Sequence, residues 1–184
     1  MVIAFSSVAC NSQNKANTKE INEIKVNIGK SKDVVFKNLG LEEGKEIEQF
    51  NGKAGIYAFK KQHNLYGEPL TLALTFDLNN DKMYGFMYVK GFTDHHNKDA
   101  YDLSKKLYTN LNKAFGESTT NPGISNRISK IPSYEDLPKS AEYFDSWKVD
   151  DGLDVELRLN IVGDQNSNIS VTYKVNTSPE DWNK

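Results

Sequence analysis

The feature that most constrains this chain is a two-residue rhythm near its C-terminal end. Leu153, Val155, Leu157, Leu159 and Ile161 alternate with Asp154, Glu156, Arg158 and Asn160. After a polar segment, Ile169, Val171, Tyr173 and Val175 alternate with Ser170, Thr172 and Lys174. Successive side chains of a strand point to opposite faces, so each run makes a strand with one dry and one wet side. Glu142 to Val149 places Tyr143, Trp147 and Val149 on one face and reads as a third strand. Asp151-Gly152 and the Gly163 to Asn168 segment carry the residues of the turns between them.

The N-terminal part carries the same alphabet. Ile24, Val26 and Ile28 alternate and predict a short strand over 20–28. Ser31 before and Gly40 after the run Lys32 to Leu39 are start and stop signals of a helix. Asn51-Gly52 marks a turn, followed by a strand from Gly55 to Gln62. Leu70, Leu72, Leu74 and Phe76 form one face of a strand ending at Asp77. A turn over 78–81 leads to Met83–Phe92, apolar on both faces and so expected at the centre of a sheet covered on both sides. Asn97 caps the longest expected helix, 98–115, where Ala100, Leu103, Leu107, Leu111, Ala114 and Phe115 make an apolar stripe at helical spacing. The loop from Glu117 to Lys139, with Pro122, Gly123, Pro132 and Pro138, is long for a compact domain, and loops of that length are functional or partly structured.

The element order is helix and three strands, twice over, with Leu39-Gly40 echoed by Phe115-Gly116. The expected fold class is α+β: an antiparallel sheet with helices on one face, as a tandem helix–three-strand pseudo-repeat. Residues 1–19 read as signal remnant and tether. Residues 20–184 read as a single domain, divisible into halves 20–97 and 98–184.

The only cysteine, Cys10, stands after an apolar stretch and the small residues Ser6-Ser7-Val8-Ala9, and before the polar run Asn11 to Lys19. Apolar, then small, then polar is the grammar of a secretory signal. Ser7-Val8-Ala9-Cys10 resembles a lipobox, the cleavage site of bacterial lipoproteins, in which the cysteine carries the lipid. The resemblance implies lipid attachment at Cys10 and an extracytoplasmic, membrane-anchored location in periplasm or at the cell surface. The alternative is a plain N-terminus bearing a free thiol. Further along, Val26-Asn27-Ile28-Gly29-Lys30-Ser31-Lys32, Val34-Val35, Leu39-Gly40, Ile56 to Phe59 and Leu70 to Phe76 are similar to the SmpA/OmlA lipoproteins, where a strand–Gly–helix–Leu-Gly unit precedes a three-stranded sheet. The doubled unit resembles the architecture of the beta-lactamase inhibitor protein, whose sheet forms a concave binding face.

Catalytic and metal chemistry are weakly represented. No Gly-x-Ser-x-Gly, phosphate-cradling glycine loop or zinc-type His/Cys spacing occurs. Asp94-His95-His96 is the one cluster of metal-ligand type, with His63 the only other histidine, and it reads as a polar loop leading into a helix. Asp77 to Asp81 begins like a calcium loop but has Lys82 at the glycine position. Asp164, Asn166 and Asn168 repeat the spacing, again without the glycine. Glu42, Glu43, Asp150 and Asp151 read as solvated acids in turns. The 23 basic and 25 acidic residues leave a formal charge of −2, too little positive charge for a nucleic-acid surface. No metal, cofactor or enzymatic activity is therefore expected.

Aromatic residues remain. Tyr84, Phe86 and Tyr88, with Phe92 further along, share one expected strand face, and Tyr57 and Phe59 share another. Exposed rings on a sheet are anchors for a protein partner, whereas covered rings are a second core layer. These six are the candidate partner-binding residues, beside the 117–139 loop. The function expected is a non-catalytic, lipid-anchored module of the cell envelope that binds another protein. The alternatives are an inhibitor or immunity protein, and a small-ligand carrier.

Overall fold

The computed structural model describes residues 18–93, 96–131, 133–150, 152–163 and 166–175. Cys10 lies outside them. Among the described residues are three helices and eight strands, and the strand pairs are antiparallel. The chain divides into two compact units at Tyr84/Gly85.

The N-terminal unit opens with α1, helical over 18–25, then α2 (Lys32–Leu39). Four strands follow: β1 (Ile47–Gln49), β2 (Ile56–Phe59), β3 (His63–Leu65) and β4 (Glu68–Phe76). β2 lies between β1 and β4, and β3 hairpins onto the start of β4. The strand expected over 20–28 is thus corrected to helix over 20–25 and turn over 26–28. Ile24 is buried, but Val26 is 66% exposed, so the two cannot share an inward face. α2 ends as its sequence predicts: Gly40 takes φ 65°, and Leu41 N–H donates to Phe36 O at 2.8 Å. That left-handed turn satisfies helix-end carbonyls which otherwise lack partners. The Phe36 ring meets Tyr57 at 5.4 Å and Phe76 at 6.1 Å, edge-on in both cases, and so docks α2 on β2 and β4. β4 is buried on both faces from Leu72 to Phe76.

The C-terminal unit is built from β5 (Met83–Phe92, of which Gly85 onward belongs here), α3 (Asn97–Phe115), β6 (Ser140–Asp150), β7 (Leu153–Val162) and β8 (Asn166–Val175). Its strand order is β5-β8-β7-β6. The alternation in β7 becomes alternating burial along the whole strand, and α3 packs on the apolar side, against β6, β7 and β8. Leu107, Leu111, Val155, Leu157, Val171 and Trp147 are fully buried there. The Trp147 indole N–H donates to Asn112 Oδ1 at 3.0 Å and Gly116 O at 3.1 Å, tying β6 to the end of α3.

The expected tandem repeat of a helix and three strands, with helices on one face, is overturned by this pairing. The N-terminal unit has two helices and four strands of its own. β5, counted with the first half, pairs along eight positions with β8, from Gly85↔Lys174 to Phe92↔Ser167. It is also not the doubly covered strand. Its burial is broken by half-exposed Tyr84, Met87 and Val89, and β4 takes that place.

Candidate functional site

The six candidate aromatic residues do not form one surface. Phe86 and Tyr88 are fully buried, correcting their expected role as partner anchors. Phe86 stacks on Tyr173 with ring centroids 4.7 Å apart and planes 5° from parallel, and Tyr88 meets the same ring edge-on. They are core because β8 supplies an aromatic opposite Phe86 in the register. Tyr57 is half-buried in the α2 cluster, and its hydroxyl accepts from Lys32 Nζ at 3.2 Å. That hydrogen bond holds the lysine above its ordinary pKa. Phe59 is half-buried with His63 against its ring at 4.6 Å. Tyr84 and Phe92 are half-buried, the latter under Lys90 Nζ at 5.4 Å.

The polar candidates are spent on local structure. His63 Nδ1 lies 2.6 Å from Glu20 Oε1, and His96 Nδ1 lies 2.8 Å from Asp99 Oδ2. Asp94, His95, Asp151 and Asp164 fall outside the described residues. Among the described residues no three metal-ligating groups converge. Asp77 Oδ1 accepts from the N–H groups of Asn79 at 2.7 Å and Asn80 at 3.2 Å, an Asx turn rather than an open oxygen site.

What the structure does assemble is the 117–139 segment, here called the strap. Its anchor is Asp145, which sits on the inward face of β6 between Tyr143 and Trp147 and has no exposed surface. A buried carboxylate must be paired and hydrogen-bonded to be tolerated. Asp145 Oδ1 receives Ser118 Oγ at 2.6 Å, Arg127 Nε at 2.9 Å and Arg127 Nη2 at 2.8 Å. Its Oδ2 receives the Ser129 N–H at 3.1 Å. Three points of the strap therefore converge on one side chain.

The strap also occupies part of the outer edge of β6. Phe144 N–H donates to Asn126 O at 3.0 Å, Ser146 N–H to Thr120 Oγ1 at 2.8 Å, and Thr119 N–H to Ser146 O at 2.8 Å. Lys105 of α3 closes the other side. Its ammonium reaches Ile128 O at 3.1 Å and Ile131 O at 3.4 Å, where burial pushes its pKa down. Ile128 and Ile131 of the strap are themselves buried. Burial also raises the Tyr143 phenol. Nearer β6, the strap flanks a cleft of about 260 Å³ lined by Tyr134, Leu137, Pro138 and Lys139, with Asn97 of α3 and Ile161 of β7.

The opposite face of the unit is polar. Arg158 pairs with Glu142 and, at 2.7 Å, with Glu156, which Lys174 approaches at 3.5 Å. Sequence reasoning marked the strap by its length but missed Asp145 and Arg127. The available signal was a carboxylate on the apolar face of β6. No known family profile, curated protein or solved structure matches the chain. Among the described residues, no helix is long and apolar enough to cross a membrane.

Proposed function

We propose that this chain is a non-catalytic lipoprotein of the cell envelope, anchored through Cys10, whose C-terminal unit binds another protein at the strap and the adjoining edge of β6. The observation that carries the reading is the convergence of Ser118, Arg127 and Ser129 on buried Asp145. A surface segment held in one shape by a buried ion pair needs little ordering when a partner docks, and that ordering cost is what weakens loop-mediated binding. The cleft beside the strap, about 260 Å³, is below the roughly 300 Å³ at which small-ligand pockets begin, so at this site a protein partner is favoured over a small ligand. The formal charge of −2 disfavours a nucleic-acid partner, whose phosphates need a basic surplus. The Ser7-Val8-Ala9-Cys10 sequence and the polar run behind it support the lipid anchor.

Two experiments test the two halves of the proposal. Cys10→Ser is expected to move the protein from the membrane to the soluble fraction, and retention in the membrane would remove the anchor. The chain from Asn11 onward, immobilised and washed with envelope extract, is expected to retain one stoichiometric protein. Retention of nothing above a blank resin would remove the binding role. An enzyme as the captured protein would identify the partner as a target of inhibition.

A further inference from the structure

We infer that the first residues of β6, Ser140 to Phe144, form a strand-addition site that takes an extended peptide segment of a protein partner. The inference rests on the protein-binding reading above and names the kind of partner. It begins from the parity of the edge. Phe144 and Ser146 turn their N–H groups outward, to Asn126 O and Thr120 Oγ1, so every second residue of β6 presents its backbone away from β7. By that alternation Ser140 and Glu142 also face outward. The register with β7 is unbroken from Ser140↔Val162 to Lys148↔Asp154, so the parity holds over this stretch.

The strap covers the edge at 144–146 and then leaves it. Among the described residues no backbone partner lies on the outward N–H or C=O of Ser140 or Glu142, and both residues are exposed. An uncovered strand edge is a template for another strand. Here the neighbouring residues add selectivity. Pro138 and Lys139, which line the cleft, run directly into Ser140, and Ile161, also in its lining, pairs with Ala141. A segment laid along Ser140–Phe144 therefore passes the mouth of a cleft lined by Tyr134, Leu137 and Pro138 and also by the polar Asn97, Glu135 and Lys139. Backbone bonds hold such a segment, and a side chain with an apolar body and a polar end, matched to this mixed lining, selects it, the usual division of labour in strand addition. On the other face it meets the Glu142–Arg158 pair, which suits a polar side chain.

The test uses the whole chain and a displayed library of seven-residue peptides with alternating apolar and polar positions. Selected peptides are expected to slow amide exchange at Ser140 and Glu142. Glu142→Pro removes one outward N–H without touching the β7 pairing, a position where an edge strand tolerates proline. It should weaken the selected peptides about tenfold or more, since a partner carbonyl loses its donor. Glu142→Ala, which loses the same side chain but keeps the N–H, is the reference: Glu142→Pro should bind about tenfold or more weakly than it. Should circular dichroism show Glu142→Pro unfolded, Ser140→Pro replaces it with the same expectation. Failure to select any peptide, or equal binding by the proline variant, overturns the proposal. An envelope protein captured equally by wild type and Glu142→Pro would remove the edge site and leave the binding role standing. Peptides that behave as expected while no envelope protein is captured would keep the edge and remove that role.

Discussion

Replacing Asp145 by alanine tests the anchor of the strap most directly. The substitution removes an acceptor with no exposed surface and strands an Arg127 side chain that is only 12% exposed. Ser118 Oγ and the Ser129 N–H lose their acceptor at the same time. Breaking a buried pair by deleting one partner costs about 3–5 kcal/mol, because the surviving charge keeps its desolvation penalty and loses its compensation. With a urea m-value of about 2 kcal/mol/M, the midpoint should fall by about 1.5–2.5 M. The reporter is Trp147, two residues along the same strand and fully buried, read in a Trp182→Phe background so that it fluoresces alone. Asp145→Asn should recover only part of the loss, since its amide keeps one acceptor but sets a donor against another donor. If the orphaned guanidinium causes most of the damage, Arg127→Ala added to Asp145→Ala should cost less than the sum of the two, by about 2 kcal/mol. A loss below about 1 kcal/mol for Asp145→Ala, or strict additivity in the cycle, would refute the account of the strap as pinned by this pair.

Two further predictions follow from local geometry. Gly55 has φ +75°, and a Cβ there would lie 2.6 Å from Phe76 O, a backbone atom. Gly55→Ala should therefore cost more than about 2 kcal/mol and lower the Tm by about 5–10 °C in calorimetry, while a fall under 2 °C would deny the close approach. Lys105 has its pKa lowered from 10.5 by burial, so on approaching that value from below the folded state binds fewer protons than the unfolded state. Its contribution to stability thus rises with pH through that alkaline window. Lys105→Met should remove that rise, seen as a more negative slope of urea midpoint against pH between about 9 and 10.5. An unchanged slope would refute it.

How much of this was legible in the sequence depends on whether the deciding contacts were local. β7, β8 and α3 were, because ten or more residues of one period leave a single register and a single buried face. The segment 20–28 reads as a strand because Ile24, Val26 and Ile28 alternate, yet Ile21 and Ile24 fit the helical period equally well, and the helix over 18–25 ends before Val26 and Ile28. β1 and β3 were missed because three residues, such as His63-Asn64-Leu65, contain no period at all; pairing to longer neighbours makes them strands. Phe86 shares a strand face with Tyr84 and Tyr88, a pattern that fits a partner anchor and a second core layer alike. The ring that covers it, Tyr173, is brought there by strand pairing across most of the C-terminal unit. The strap shows the same division most sharply. A carboxylate between Tyr143 and Trp147 announces that some donor must come to it, since an unpaired one would cost several kcal/mol. Nothing local says that the donor is Arg127. Yet Arg127 and its neighbours decide which part of the β6 edge the strap covers and which part lacks a backbone partner among the described residues. The proposed recognition site is set by a contact that periodicity cannot encode, and for that reason Asp145, silent in any motif, is the residue to change first.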